Sequence, residues 1–460
     1  MTSENKTNRE AWSGKWAFIL AAAGSAVGLG NMWRFPYLDA KYGGGTFLFV
    51  YLILVFTLGV SLLLTDIALG RNAKSSVVKV FSRYGKKYSI IGVLALSVPF
   101  IIMPYYSIIG GWVAKYMAAY ITAGPAALAD GGDYFVNFIT GGAESFAWMT
   151  IFAIVVYVIV FFGINNGIEK VNLVLMPLLI VMAVGIVIYT MTIPGALEGV
   201  KYFFAPDFSK ISPELIVAAM GQCFFSLSVA TAIMVTYGSY VEEKESLTHS
   251  TVRIIGFDLV VSVLAGLMIV PGAFAALGSA EAVAAKSGPS LMFVTLPEVF
   301  SHMGAAAQIV GFVFFLLALF AAITSAISIA EACVSCVSDG LKLSRRKATI
   351  VCFVYSLVLG CFVNAGYNGL SFIQPLGEGS TLLDFFDFVS NTVMMPIVAL
   401  LTCLFVGWVM KPKTLVDEVR LSSKFRLAGA YSVMIKYIAP VLVVVIMVAY
   451  IAAQFGLISL

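Results

Sequence analysis

Gly24-Ser25-Ala26-Val27-Gly28-Leu29-Gly30-Asn31-Met32-Trp33-Arg34-Phe35-Pro36 lies in the first long apolar segment of the chain, 13–38, and does not read as an ordinary membrane span. Its three glycines and one asparagine are poor helix formers. A helix that breaks inside hydrocarbon frees carbonyls and amides, and these must be satisfied by protein or by something bound. Freed carbonyls suit Na+, and amides at the N-terminus of a half-helix suit a carboxylate. The plainer reading is that Gly24-x-x-x-Gly28 is a close-packing face between helices. A nucleotide loop does not fit, because no strand precedes the glycines and the third glycine of that fingerprint is missing.

The rest of the chain sets this stretch in a membrane. Of 460 residues, 60% are hydrophobic and 11% charged, whereas soluble domains carry about 25% charge. A soluble domain is ruled out, and so is a disordered chain, which would lack apolar surface. The apolar segments are far longer than the ~10-residue alternating strands of an outer-membrane barrel. They fall at about 13–38, 42–70, 88–123, 146–163, 168–192, 213–240, 252–278, 304–338, 347–364, 382–410 and 431–457, which gives eleven spans. Segment 279–303, with Pro289 and Pro297, reads as an outer loop with short helical pieces. With no long polar stretch, 1–460 reads as a single polytopic helical membrane domain.

Placing the N-terminus in the cytoplasm puts 22 of the 28 Lys and Arg residues on that side, as the positive-inside rule requires. Eleven spans then leave the C-terminus outside, in a multi-pass plasma (inner) membrane protein. The net charge of +4 is scattered over short loops, which argues against a nucleic-acid partner. All six cysteines sit in apolar segments, and Cys333-x-x-Cys336 inside a span reads as packing rather than redox chemistry. His249 and His302 are isolated, so no metal-ligand spacing appears. The polar N-terminus has no signal-peptide pattern.

Two further stretches are rich in hydroxyls. Span 6 reads Gln222-Cys223-Phe224-Phe225-Ser226-Leu227-Ser228-Val229-Ala230-Thr231, and span 8 holds Ala321-Ala322-Ile323-Thr324-Ser325-Ala326-Ile327-Ser328. The hydroxyls either bond back to their own helix or supply oxygens to a cation. Ionisable residues inside spans are functional candidates by default. Here they are Arg34, Asp66, Lys115, Asp258, Glu331, Asp384 and Asp387. Lys115 can snorkel outward, and Asp66 and Glu331 can serve as anchors near the inner face. Asp258, in a long apolar run, needs a cation, a proton or a cluster of donors.

In their order along the chain, these motifs resemble the neurotransmitter:sodium symporter family, in particular its bacterial amino-acid transporters. The residues that carry the resemblance are A-G-S-A-V-G-L-G-N-M-W-R-F-P-Y, K-Y-G-G-G-T-F, G-Q-C-F-F-S-L-S, T-Y-G-S-Y, A-A-I-T-S-A-I-S and D-G-L-K-L-S. The resemblance implies an all-α polytopic membrane protein with the leucine-transporter fold. It would have two inverted five-helix repeats, 13–192 and 213–410, and one extra helix at 431–457. Spans 1 and 6 would be unwound mid-membrane. Many members have twelve spans, so eleven is a departure, though one known among bacterial members.

By position, the resemblance implies two Na+ ions. One site would use carbonyls of Gly24, Val27 and Ala321 with the Thr324 and Ser325 hydroxyls. The other would use the Ala26 carbonyl, Asn31, Ser226 and the substrate carboxylate, with Asp258 adjoining. Tyr51, Gln222, Ser226 and Ser262 resemble an anion site, but Asp258 puts a fixed negative charge beside it, and the expectation is that chloride is not required. The substrate carboxylate would meet the Leu29 and Gly30 amides and the Tyr106 hydroxyl. Gly28 stands where monoamine members carry an Asp, which points to an amino acid. Ser25, Ile102, Phe225, Ser228, Thr231, Ser328 and Ile329 would line an uncharged, mostly apolar pocket. Thr231 replaces a phenylalanine that narrows the pocket of a leucine-binding relative. Arg34 and Asp387 match an outer gate pair, and Arg9 and Asp339 an inner pair with Tyr240 nearby. Gly167 and Pro177 match a Gly-x9-Pro motif at which span 5 unwinds. Relatives often have glycine near 229–232; Val-Ala-Thr-Ala stands here, which leaves open where span 6 breaks.

The reading is therefore a Na+-coupled symporter importing neutral, hydrophobic or aromatic L-amino acids, with the lipid bilayer as surroundings and no obligatory protein partner evident. The alternatives are a ligand-binding channel or receptor-like protein of the same fold, or a symporter for a small amino acid such as glycine. An enzyme would need a nucleophile–base pair or a metal set, and none is visible.

Overall fold

The computed structural model describes residues 11–279, 281–285 and 288–458. Every regular element among them is helical. In chain order they are α1 Lys15–Ala26 and α2 Gly30–Lys41, α3 Gly45–Ala73, α4 Lys86–Thr122, α5 Ala143–Phe161 and α6 Ile164–Met191. Then follow α7 Pro213–Ser226, α8 Ile233–Gly238, α9 Leu247–Ala276, α10 Gly304–Leu341, α11 Arg345–Ala365, α12 Leu382–Met410 and α13 Ala428–Gln454. Nine of these are long and apolar enough to cross a membrane, and α1 with α2 makes a tenth, bent by 53°. The expected segment 213–240 is divided between α7 and α8 by the irregular residues 227–232. Large apolar side chains such as Ile154, Val181, Ile188, Val358 and Val441 face outward, which suits lipid rather than water.

Local chemistry sets the helix ends. Ser212 accepts from the Leu215 amide and Pro213 takes the first position of α7, where its missing N–H costs nothing. At α12, Thr381 Oγ1 accepts from Asp384 N at 3.2 Å while Asp384 Oδ2 accepts from Thr381 N at 2.8 Å. This capping box is the observed role of Asp384, which the sequence marked only as an ionisable residue inside a span. Lys115 lies 2.5 Å from the half-exposed Glu144.

The long helices α4 and α10 pack along each other, and α1 lies against α6, α9 and α10. Glycine allows these approaches. A Cβ at Gly111 of α4 would stand 2.5 Å from the Met149 backbone nitrogen of α5, so only glycine fits there.

The two breaks have different causes. In span 1, Val27 turns extended at φ −73° and ψ 98°, and the Gly28 amide is taken by Asn31 Oδ1 at 3.0 Å. In span 6 the chain unwinds without glycine. Ser228, Ala230 and Ala232 stand at φ 51°, 62° and 63°, a region that costs an L-residue roughly 1–2 kcal/mol. Side chains hold the strained shape. Asp66 Oδ2 accepts from the Ala230 amide at 3.0 Å, Thr231 Oγ1 donates to the Ser228 carbonyl at 2.7 Å, and Ser228 Oγ donates to the Ser25 carbonyl at 3.1 Å. Asp66 is thus an anchor, as one sequence reading had it, but for the broken part of span 6. Span 5, by contrast, is wound from 164 to 191, with a wide turn at Ile164–Ile168 that includes Gly167. Pro177 lies inside it and removes one helix hydrogen bond.

Candidate functional site

The broken middle of span 1 faces α10, and there Ser325 meets a group of carbonyls. Its Oγ is 3.2 Å from the Gly24 oxygen and 3.1 Å from those of Ser25 and Val27. A hydroxyl has one proton, so it can satisfy one of the three. Thr324 Oγ1 lies 3.0 Å from the Ala321 carbonyl, and its Cβ packs against Gly24. Gly24, Val27, Ala321, Thr324 and Ser325 are therefore assembled in one place. The Ser25 carbonyl joins them, which the sequence did not indicate. The arrangement is rich in oxygen and short of donors, a fit for a hard monovalent cation.

A second cluster surrounds Asp258, which is fully buried. Its carboxylate accepts from Asn31 Nδ2 at 2.8 Å and Ser226 Oγ at 2.6 Å, with Tyr51 Oη at 3.4 Å. Asn31 Nδ2 also reaches Ser262 Oγ at 2.8 Å and Ser226 Oγ at 3.2 Å. Tyr51, Ser226 and Ser262 thus converge, as expected of an anion site, and the carboxylate of Asp258 is in their midst. Gln222 does not join: its buried amide makes no hydrogen bond. No Lys or Arg pairs with Asp258 among the described residues. Ala26 is buried and is the last residue of α1.

Between the clusters, Gly28 faces Ser325 and Tyr106. A Cβ at Gly28 would stand 2.7 Å from Ser325 Oγ and 3.4 Å from Tyr106 Oη. The Tyr106 hydroxyl is buried and has no hydrogen-bond partner, a costly condition unless a ligand supplies one. Leu29 is buried, and Gly30 lies flat on the Phe225 ring with no room for a Cβ. Ser25 and Ser228 meet, with 3.5 Å between hydroxyls. Ile102 and Ile329 are buried one turn from Tyr106 and Ser325 on α4 and α10, hence on the same faces. Two expected pocket hydroxyls are engaged elsewhere: Thr231 bonds its own segment, and Ser328 donates to the Thr324 carbonyl at 3.0 Å and accepts from Tyr237 at 2.8 Å.

The two ends of the molecule differ. On the face that carries the start of α1, Trp12 is buried, its indole N–H donates to the Tyr237 carbonyl at 3.1 Å, and its ring meets Tyr237 and Tyr240 edge-on. Ser13 is held by Glu169 through both its amide and its hydroxyl. Tyr240 donates to Glu331 at 2.7 Å, and Glu331 pairs with Arg345 at 2.5 Å. Asp339 accepts from the Ser76 amide at 2.9 Å, while its expected partner Arg9 lies outside the described residues. This face is shut.

The opposite face holds a cavity of about 900 Å³, lined in part by Arg34, Phe225, Asp387 and Tyr450. No ion pair joins Arg34 to Asp387 among the described residues. The guanidinium of Arg34 lies between the rings of Phe225 and Tyr450, 5.2 and 5.7 Å from their centres, and donates to the Tyr450 hydroxyl at 3.0 Å. Asp387 accepts from Asn391 at 2.6 Å and Tyr105 at 3.2 Å. The expected gate residues thus flank one opening and are held apart. Sequence reasoning missed Trp12, Glu169 and Tyr450. Trp12, just past the polar N-terminal stretch, could have been noticed; Tyr450 gave no local signal.

A family model described as the sodium:neurotransmitter symporter family matches residues 9–126 and 140–457. An uncharacterised sodium-dependent transporter of Haemophilus influenzae is 32% identical, over 98% of this chain and 99% of its own. A sodium-dependent nutrient amino acid transporter of Drosophila grimshawi is 24% identical, over 96% of this chain and 77% of its own. The crystal structure of MhsT in complex with L-phenylalanine aligns with a TM-score of 0.85 and 33% identity, covering 96% of this chain and all of that one.

The asymmetry of the two faces has a direct test. In a background without native cysteines, Asp384→Cys on the open face should react with a water-soluble maleimide, and Ser328→Cys should stay unlabelled under the same conditions. Equal labelling at the two positions would contradict the closed face described above.

Proposed function

The chain belongs to the sodium:neurotransmitter symporter family, and on that premise we propose that it is a Na+-coupled symporter importing neutral L-amino acids with hydrophobic or aromatic side chains by alternating access. The observation that carries the sodium part is Ser325, one hydroxyl facing the carbonyls of Gly24, Ser25 and Val27. Their dipoles repel each other unless a cation sits among them. On this reading Gly24, Val27, Ala321, Thr324 and Ser325 hold one Na+. Asn31, Ser226 and the Ala26 carbonyl hold a second, together with the carboxylate of the substrate.

The substrate part rests on the partnerless Tyr106 hydroxyl beside Gly28. A carboxylate reaching that hydroxyl accepts from it and from amides at the start of α2, where the helix dipole favours a negative charge. Phe225, Ile102 and Ile329 form an apolar surround with no fixed charge, so charged side chains are disfavoured. That the solved relative holds L-phenylalanine supports an aromatic or large apolar side chain.

Asp258 belongs to the same reading. Asn31, Ser226 and Tyr51 donate to its carboxylate, and with no basic partner beside it among the described residues a neighbouring cation completes its charge balance. We take Asp258 to balance the neighbouring Na+ and to stand in for chloride. With the N-terminus in the cytoplasm, the open face is the outside. Cargo then enters past Arg34 and Asp387, and the Trp12, Glu169 and Glu331 contacts must part before it leaves inward. The inverted repeats 13–192 and 213–410 would provide the two related halves that such rocking needs.

Three measurements test these assignments. In proteoliposomes, uptake of labelled L-phenylalanine should require a Na+ gradient. Thr324→Ala with Ser325→Ala should raise the sodium needed for half-maximal uptake by about tenfold or more, equivalent to losing one or two charge–dipole contacts; an unchanged requirement removes the site from these residues. Tyr106→Phe should weaken amino-acid binding by about tenfold to a hundredfold. Phenethylamine, which lacks the carboxylate, should not compete at all. Wild-type uptake should continue in gluconate buffer without chloride, and Asp258→Asn should make it depend on added chloride. A mutant indifferent to chloride ends that part of the proposal.

A further inference from the structure

Helix α6 carries a polar side chain with no evident reason to be where it is. Asn172 sits in an otherwise apolar run and is fully buried. Its Nδ2 donates to the Ile168 carbonyl at 2.8 Å. That bond fixes the orientation of the amide, because the reverse would set oxygen against oxygen. Its Oδ1 is left with no hydrogen-bond partner. Leaving a buried amide oxygen unpaired is costly, yet nothing from α6 or its neighbours approaches it as a donor.

The oxygen is not pointing into a void. It lies against the α-carbon of Gly24, where any Cβ would collide with it, and Thr324 Cβ closes the same spot at 3.0 Å from the position a Gly24 Cβ would take. Gly24 and Thr324 are members of the carbonyl and hydroxyl cage described above. Asn172 therefore stands immediately behind that cage, on the side of the shut face. Glu169, one turn nearer that face on the same helix and nearly buried, holds Ser13 at the start of span 1. Residues three apart share a helix face, so the amide oxygen and the carboxylate form two steps between the cage and the cytoplasmic end. The wide turn at Ile164–Ile168 and Pro177 bracket them on α6.

We propose that Asn172 is the exit ligand for Na+: its Oδ1 is the first oxygen to receive the ion as it leaves the Gly24–Ser325 cage toward the cytoplasm, with the Glu169 carboxylate next. The inference rests on the sodium reading of that cage. An ion leaving it must shed carbonyl ligands before water reaches it. An amide oxygen already in place lowers the cost of that step, and an apolar side chain does not. Asn172 is thus a residue for the rate of release, not for the affinity of the resting site. The same oxygen is available to the ion only once it has moved, which accounts for its lack of a partner in the resting cage.

The test separates rate from affinity on the full-length protein. Equilibrium binding of radiolabelled sodium to purified protein and sodium-driven turnover in proteoliposomes are measured for Asn172→Leu, Asn172→Ala and Asn172→Asp. The Thr324→Ala, Ser325→Ala double variant serves as the control for the cage. In Asn172→Leu and Asn172→Ala, turnover should fall roughly tenfold, as expected when one ion–dipole contact is missing from a barrier, while sodium binding stays within about twofold of wild type. Asn172→Asp keeps an oxygen at the position and should retain turnover. Intact binding in the variants also certifies their fold. Wild-type turnover in both apolar variants overturns the proposal. So does a loss of sodium affinity equal to that of the cage double variant, which would make Asn172 part of the resting site. If the double variant itself binds sodium normally, it is the cage reading that fails, and that result is distinct from either.

Discussion

A carbonyl released from a helix in the middle of a hydrocarbon layer has no solvent to turn to. That constraint organises this molecule. Residues 27–29 and 227–232 release such groups at two places, and much of the buried polar chemistry gathers around them. Ser325 and Thr324 come from α10, Asp258 and Ser262 from α9, Asp66 from α3 and Tyr106 from α4. The remaining helices bring these side chains to fixed positions, and the close packing and hydrogen bonds made there offset the cost of the breaks.

The same economy explains why the closed face is polar. Trp12, Ser13, Tyr240, Glu331 and Arg345 are joined by hydrogen bonds and one ion pair rather than by apolar packing alone. Such contacts are directional and exchange readily for water. A barrier built from them can open without exposing a large apolar surface. On the other face, Arg34 has an alternative resting place between two aromatic rings, so neither it nor Asp387 is left without a partner while the cavity is open.

How much of this could be read from residue order depends on whether the cause is local. Span 1 was legible because Gly28, Gly30 and Asn31 oppose a helix by themselves. The clustering of Ser325 with Gly24 followed from a family resemblance and is a contact between residues far apart in the chain. The break in span 6 was not locatable, because nothing in Leu-Ser-Val-Ala-Thr-Ala is a helix breaker; it is imposed by Asp66 and Ser25 from other helices. Asn172 and Tyr450 carry no local signal, because what each meets lies far along the chain: Gly24 for one and Arg34 for the other. Gln222 shows the opposite case: its position suggested a ligand, yet its amide engages nothing in the cluster around Asp258.

The left-handed residues of span 6 carry one more consequence. Glycine would adopt that shape at no steric cost, but once released it would also wander through many others. Ser228, Ala230 and Ala232 hold it at roughly 1–2 kcal/mol each, so the shape lasts only while the contacts with Asp66 and Ser25 last. Once those contacts part, the strain drives the segment out of the left-handed region, and residues 227–232 behave as a set spring rather than as a loose loop.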